Sequence, residues 1–220
     1  MTQTRREDRL PPSDRMIAFT DAAVAIALTL LVLPLVEIVP EAARSGEPAA
    51  AVITNNLAPI GSFLLSFAVI ARFWSGHHRL FGYEHRLTPS LVQLNLLWLL
   101  TIAVLPFPTE MIASLDSHGF VTPFYLSVLV VCSTALTTMA VTMRHTAVRD
   151  GNDDGVPEAF VTGSLSSTTT FVIALVVALA VPSLGSWVFF ILFADPVVRP
   201  VVRRLRGDPS RRVQRRPGAA

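Results

Sequence analysis

Long blocks of apolar residues, separated by short polar stretches, run along the whole chain. A bilayer core about 30 Å thick needs roughly 20 mostly apolar residues per crossing helix. Six blocks have this character, and they predict helices at 16–36, 57–75, 90–107, 121–143, 160–181 and, shorter than the rest, 184–199. The pattern predicts an all-α integral membrane protein with six transmembrane helices, with a loop at 37–55 and a polar segment at 76–89.

Composition supports a membrane protein without a separate soluble domain. The chain has 220 residues, 51% of them hydrophobic and 15% charged, with a mean hydropathy of +0.53. Length leaves room for six crossings and short loops only. We therefore expect a membrane domain at 15–202, flanked by a polar tail at 1–14 and a basic tail at 203–220.

Arginine placement gives an orientation. Four segments hold 17 of the 18 basic residues, all of them arginine: 1–15, 72–89, 144–163 and 199–220. Positive charge stays on the cytoplasmic side, so both termini of this multi-pass protein are expected to be cytoplasmic. The basic tail is too short for nucleic-acid binding, whereas anionic membrane lipids are plausible partners.

One acid lies inside the first apolar block. Asp21 follows Arg15 by about 9 Å along a helix, and a charge in a bilayer costs roughly 2.5–3.5 kcal/mol unless it is paired. By depth, five polar side chains reach the same layer as Asp21 and Thr20 and can hydrogen-bond there: Trp74, His77, His78, Gln93 and Asn95. Two interpretations stay open: the acid locks helix packing, or it takes part directly in permeation.

Other classes of chemistry find little support. His77 and His78 diverge on a helix, and no cysteine or nearby acid completes a metal site with them, so neither a metal nor another cofactor is expected. No nucleotide-binding loop, nucleophile elbow or zinc-protease helix is present, which argues against an enzyme. A small secondary or proton-coupled transporter that uses Asp21 and the histidines remains open as a function, although no clear internal repeat is visible.

The first helix also carries an apolar face. Ile26, Thr29, Leu30 and Leu33 recur at spacings of three and four residues, so they lie on one side of a helix. Spacing and composition alone favour a seam against another helix.

Three ordered motifs lie in the first half of the chain. The first is Arg-Met-Ile-Ala-Phe-Thr-Asp at 15–21, and the second is Trp-Ser-Gly-His-His-Arg-Leu-Phe at 74–81. The third combines Asn-Leu-Leu at 95–97 with Leu-Pro-Phe-Pro-Thr at 105–109. Together they resemble the transmembrane protein 175 potassium-channel family over roughly residues 15–110, which implies a bacterial-type plasma membrane as the location. One departure from the family is Thr20, where serine is usual.

The resemblance implies a passive, potassium-preferring cation channel that assembles as a homotetramer. Four copies of helix 1 would surround the pore, with Ile26 at its constriction and Thr29 and Leu33 lining it. A polar network would hold helix 1 in place, formed by Arg15, Phe19, Thr20, Asp21, Trp74, His77 and Asn95. A ring of isoleucines can close a path by expelling water and ions from it.

The arginine asymmetry generates a topological prediction. In intact cells, Ser45→Cys should react with a membrane-impermeant thiol reagent, because position 45 lies in a loop predicted to be outside. Ser210→Cys should react only after the cells are opened. The reverse pattern would overturn the orientation or the number of crossings.

Overall fold

The computed structural model describes residues 12–83, 87–115, 119–151 and 155–189, which contain helices and no strand. The α-helices are α1 Pro12–Leu30, α2 Leu33–Ser45, α3 Ala49–Asn55, α4 Leu57–Phe81, α5 Pro89–Val104, α6 Pro106–Ser114, α7 Val121–Arg149 and α8 Glu158–Ala180. A 3-10 helix follows at Pro182–Phe189.

Five stretches of these helices are long and apolar enough to cross a membrane: Ser13–Ser45, Leu57–Phe81, Pro89–Ser114, Val121–Arg149 and Glu158–Ala180. The predicted all-α membrane fold is thus confirmed. The sixth predicted helix begins inside the 3-10 helix, which Gly185 interrupts with a φ of 49°. Its part from residue 190 onward, like the basic tail at 203–220 and residues 1–11, lies outside the described residues.

The centre of the bundle is α7. It packs most extensively on α8 and α5, while α1 lies at the edge against α4 and α5. Large side chains such as Trp98, Tyr125, Leu129 and Met139 are fully buried between these helices. The first span is the least buried of the five, since 17% of its most apolar stretch is buried against 56% for α7.

The predicted loop at 37–55 is wrong, because α2 and α3 occupy most of it. Pro34 explains where α1 ends: its ring clashes with the carbonyl four residues earlier, that of Leu30, and it has no N–H to bond it. The chain turns at Leu31 and Val32 and resumes as α2. Gly46 then ends α2 at a φ of 70°, and the Glu47 amide donates to the Ala42 carbonyl at 3.0 Å.

The ends of α4, α5 and α7 also differ from the ends predicted from the sequence. The second predicted helix, 57–75, continues as α4 to Phe81, and α7 continues six residues past its predicted end at 143 to Arg149. The α4 and α7 helices extend because hydropathy marks only the apolar stretch, whereas a helix satisfies its own backbone and continues past that stretch into polar surroundings. The third predicted helix, 90–107, instead ends early as α5 at Val104, because Pro106 cannot donate a backbone hydrogen bond, and α6 begins at Pro106.

Candidate functional site

Three helices are joined by a buried chain of hydrogen bonds. Asn95 on α5 donates its amide N–H to Thr20 Oγ1 on α1 at 3.0 Å. The Asn95 carbonyl oxygen lies 2.6 Å from Nε2 of His77 on α4, which donates to it. All three side chains are fully buried. A single amide therefore ties α1 to both of its neighbours.

Aromatic rings hold the imidazole of His77 in place. The ring stacks on Trp98, with centroids 4.3 Å apart and planes 18° apart, and Phe81 lies 4.5 Å away on the same helix. The sequence interpretation missed Trp98, although it stands one helical turn after Asn95 and so lies on the same face. Stacking fixes the ring orientation that the hydrogen bond to Asn95 requires.

Asp21 lies beside this chain, closer to the surface. Its Oδ1 accepts a hydrogen bond from Trp74 Nε1 at 2.8 Å, and its Oδ2 lies 3.7 Å from His78 Nδ1. The Asp21 side chain is 32% exposed. The carboxylate is thus paired with α4 at the rim of the polar layer, which favours the packing interpretation of Asp21.

Arg15 and Phe19, which are also predicted to belong to the polar network, are exposed on α1. Phe19 is 57% exposed, and Arg15 is exposed one turn before it. Phe19 precedes Ile26 by seven residues, or two helical turns, so the two share a face that points away from α4 and α5. Neither residue takes part in the hydrogen bonds described above, and their assignment to the network stays a prediction.

The two sides of α1 differ sharply in burial. Val24, Ala27 and Leu31 are at most 3% exposed and pack against the core. On the opposite side, Ile26 is 61% exposed, Leu33 on α2 is 49% exposed and Leu30 is 43% exposed. Thr29 is exposed as well, and its hydroxyl donates to the Ile26 carbonyl at 2.8 Å. All four residues predicted to share one face are thus left exposed by the rest of the described residues.

A second buried polar cluster was not predicted. Thr109 donates to Ser66 Oγ at 2.7 Å, and Ser66 lies 3.1 Å from the Tyr125 hydroxyl. The cluster joins α6, α4 and α7 toward the opposite end of the bundle. Isolated Ser, Thr and Tyr residues within apolar stretches could have suggested buried hydrogen bonds. The sequence does not indicate, however, which of these hydroxyl groups bond to one another.

Comparison with known proteins identifies relatives over the first half of the chain. Residues 15–106 match the sequence model of the family described as endosomal/lysosomal potassium channel TMEM175. A potassium channel of Streptomyces collinus is 39% identical over 101 residues, which are 46% of this chain and 48% of that protein. The endosomal/lysosomal proton channel TMEM175 of Mus musculus is 31% identical over 105 residues, 47% of this chain and 20% of that protein. The family resemblance is confirmed for this part of the chain, which spans at most about half the length of these relatives.

The fold has a solved counterpart. The crystal structure of a lysosomal potassium-selective channel TMEM175 homolog from Chamaesiphon minutus superposes with a TM-score of 0.67 and 22% sequence identity. The superposition covers 85% of this chain and 96% of that one. The shared helical fold therefore extends beyond residues 15–106.

The hydrogen-bond chain generates a stability prediction. Asn95→Ala would leave Thr20 and His77 buried without their shared partner, at a cost of about 1–3 kcal/mol for each unsatisfied group. We expect a clear fall in the thermal unfolding temperature in detergent. Gln93→Ala is the matched control, because Gln93 is exposed on the same helix. Equal effects of the two substitutions would contradict the bridging role of Asn95.

Asp21 gives a separate prediction. Asp21→Asn keeps an oxygen that can accept from Trp74 Nε1, whereas Asp21→Ala removes it. If Asp21 serves packing, the alanine variant should yield much less folded protein by gel filtration, and the asparagine variant should yield nearly the wild-type amount. A well-folded Asp21→Ala protein with altered ion flux would instead favour the direct role in permeation.

Proposed function

We propose that this chain, whose residues 15–106 match the TMEM175 channel family, is a subunit of a potassium-preferring cation channel that conducts passively and catalyses no reaction. Its relatives are named as potassium or proton channels, which favours a channel over the transporter alternative. The structural observation that carries the proposal is the uncovered face of α1, on which Ile26, Thr29 and Leu33 follow one another toward α2.

One helix cannot enclose a path for ions, so the proposal requires several copies of α1 around an axis. We propose a homotetramer, in which the face with Ile26 points to the axis while the face with Val24, Ala27 and Leu31 stays on its own bundle. The buried chain through Thr20 and Asn95 would then fix the rotation of α1 about its own axis. Phe19, two turns before Ile26, would lie on the same inner side of the assembly.

The closed state in this proposal is a dry neck at Ile26. Four isoleucine side chains meeting on an axis leave a narrow apolar passage, and such a passage expels water and ions. Thr29 suits this setting because its hydroxyl is satisfied by the Ile26 carbonyl. The break before Pro34 separates α1 from α2, so a small movement of α1 can widen the neck without moving α2 as a rigid extension.

The proposed location is the plasma membrane, with both termini cytoplasmic. In that orientation the described arginines at positions 15, 72, 79, 144 and 149 lie at the cytoplasmic ends of their helices or close to them, and Arg44 alone of those described lies outside. Five crossings starting inside leave Ala180 outside. A cytoplasmic C-terminus therefore requires one more crossing after Ala180.

The neck generates a direct test in proteoliposomes loaded for potassium flux. Ile26→Asn places amides that water can wet at the constriction, so basal flux should rise and the preference for potassium should change. Ile26→Phe should reduce the flux, because the larger ring narrows the passage. The matched control is Leu100→Asn on α5, since Leu100 is 60% exposed, about as much as Ile26.

The control variant should conduct like the wild type. If Leu100→Asn raises the flux as much as Ile26→Asn, the effect comes from a polar group on any exposed helix face. If neither changes it, α1 does not line the conduction path. Either result would overturn the proposed pore.

A further inference from the structure

A cavity of about 380 Å³ lies between α4, α7 and α8, away from the exposed face of α1. Its size falls within the range of roughly 300–1,000 Å³ that is typical of small-molecule sites. It lies at the end of the bundle where α4 and α7 finish and α8 begins. Neither the polar layer around Asn95 nor the proposed pore uses it.

Two arginines from one face of α4 line this cavity. Arg72 and Arg79 are seven residues apart, which is two turns or about 10 Å along the helix. Arg72 Nη2 donates to Ser167 Oγ on α8 at 2.9 Å, which holds its guanidinium across the cavity. Arg79 donates its Nε to the Ser75 carbonyl at 3.1 Å. None of the described residues that line the cavity is acidic.

The walls opposite the arginines carry hydroxyl groups. Ser133 and Thr137 on α7 line the cavity, and so do Ser164 and Ser167 on α8. Ala159 and Phe160, from the first turn of α8, also line it, so the positive end of the α8 dipole lies close by. The cavity thus combines two permanent positive charges with small hydrogen-bonding groups.

Two glycines have opposite relations to this space. At Gly76 an added Cβ would lie 3.3 Å from Leu136 Cδ2, so this glycine allows α4 and α7 to approach closely between the two arginines. At Gly163 an added Cβ would meet nothing within 4 Å. A side chain at position 163 would therefore project into the cavity without a clash at its first atom.

We propose that this cavity binds a phosphate group, supplied either by the head group of an anionic lipid or by a free phosphate ion. Guanidinium groups match phosphate oxygens in geometry and hold them with charge-assisted hydrogen bonds. Hydroxyls and a helix N-terminus complete a common set of phosphate ligands.

The aromatic residues that line one side of the cavity favour a lipid head group, rather than a free ion, as the source of the bound phosphate. Phe73 and Phe171 stack with centroids 5.5 Å apart, and both line the cavity together with Phe160. Apolar rings beside basic groups suit a lipid, whose acyl chains and head group need both surfaces at once. The inference stands independently of ion conduction, because no residue of the proposed pore takes part in it.

Thermal unfolding of the full chain in detergent tests the proposal with two probes. The first is short-chain phosphatidylglycerol, compared with phosphatidylcholine of the same chain length. The second is inorganic phosphate, compared with chloride at the same ionic strength. A saturating ligand should raise the unfolding temperature by about 5–10 °C. A shift with phosphatidylglycerol alone assigns the site to a lipid, and a shift with inorganic phosphate assigns it to a free anion.

The variants decide whether the shift comes from this cavity. The double variant Arg72→Gln, Arg79→Gln should bind at least about tenfold more weakly, because it loses the charge-assisted hydrogen bonds. Gly163→Leu should abolish the shift by filling the space while keeping both charges. Arg149→Gln removes an exposed arginine that does not line the cavity, and it should keep the wild-type shift.

Because each variant is compared with its own unliganded form, a change in basal stability does not affect the result. The proposal is overturned if neither probe shifts the wild type. It is also overturned if both cavity variants keep the full shift, or if Arg149→Gln loses as much of it as they do.

Discussion

Asn95 is the point at which three helices of this protein are held together. Its amide donates to Thr20 on α1 and accepts from His77 on α4, and a membrane interior offers no water to replace either bond. Each partner is fully buried, so a rotation of α1 or a slide along its axis would break bonds that nothing else can satisfy. The rotation and depth of α1 follow from this one contact.

The exposed face of α1 is a consequence of that constraint. Once Thr20 faces Asn95, the residues at Val24, Ala27 and Leu31 must pack on the core, because they follow at spacings of four and three. Ile26, Thr29 and Leu33 are then turned outward, where none of the residues that the structure describes covers them. Pro34 adds a second constraint, since it ends the rigid part of α1 at Leu30 and permits α2 to take its own direction.

The polar layer was predictable because an acid in an apolar run demands partners, and few polar residues reach the depth of Asp21. Helical spacing likewise predicted the shared face of Ile26, Thr29, Leu30 and Leu33.

The ends of α4 and α7 were not predictable from hydropathy, because polar residues such as His78 and Arg144 continue a helix as well as apolar ones do. The environment of Phe19 was not predictable, because the family motif names a residue without saying which neighbour, in the same chain or another, covers it. The cavity beside Arg72 forms where α4, α7 and α8 pack together. Packing between helices that are distant in sequence cannot be predicted from a local sequence pattern.

Thiol accessibility during potassium flux tests the central claim most directly, namely that the outward face of α1 lines the conduction path. Single cysteines would be placed along α1 and α2 from position 24 to 33, and a positively charged, membrane-impermeant thiol reagent added to conducting proteoliposomes. Cys132 is buried, so the wild-type chain should give a low background. The account predicts inhibition at positions 26, 29 and 33 and none at 24, 27 and 31. Inhibition at the second set, or at neither, would contradict it.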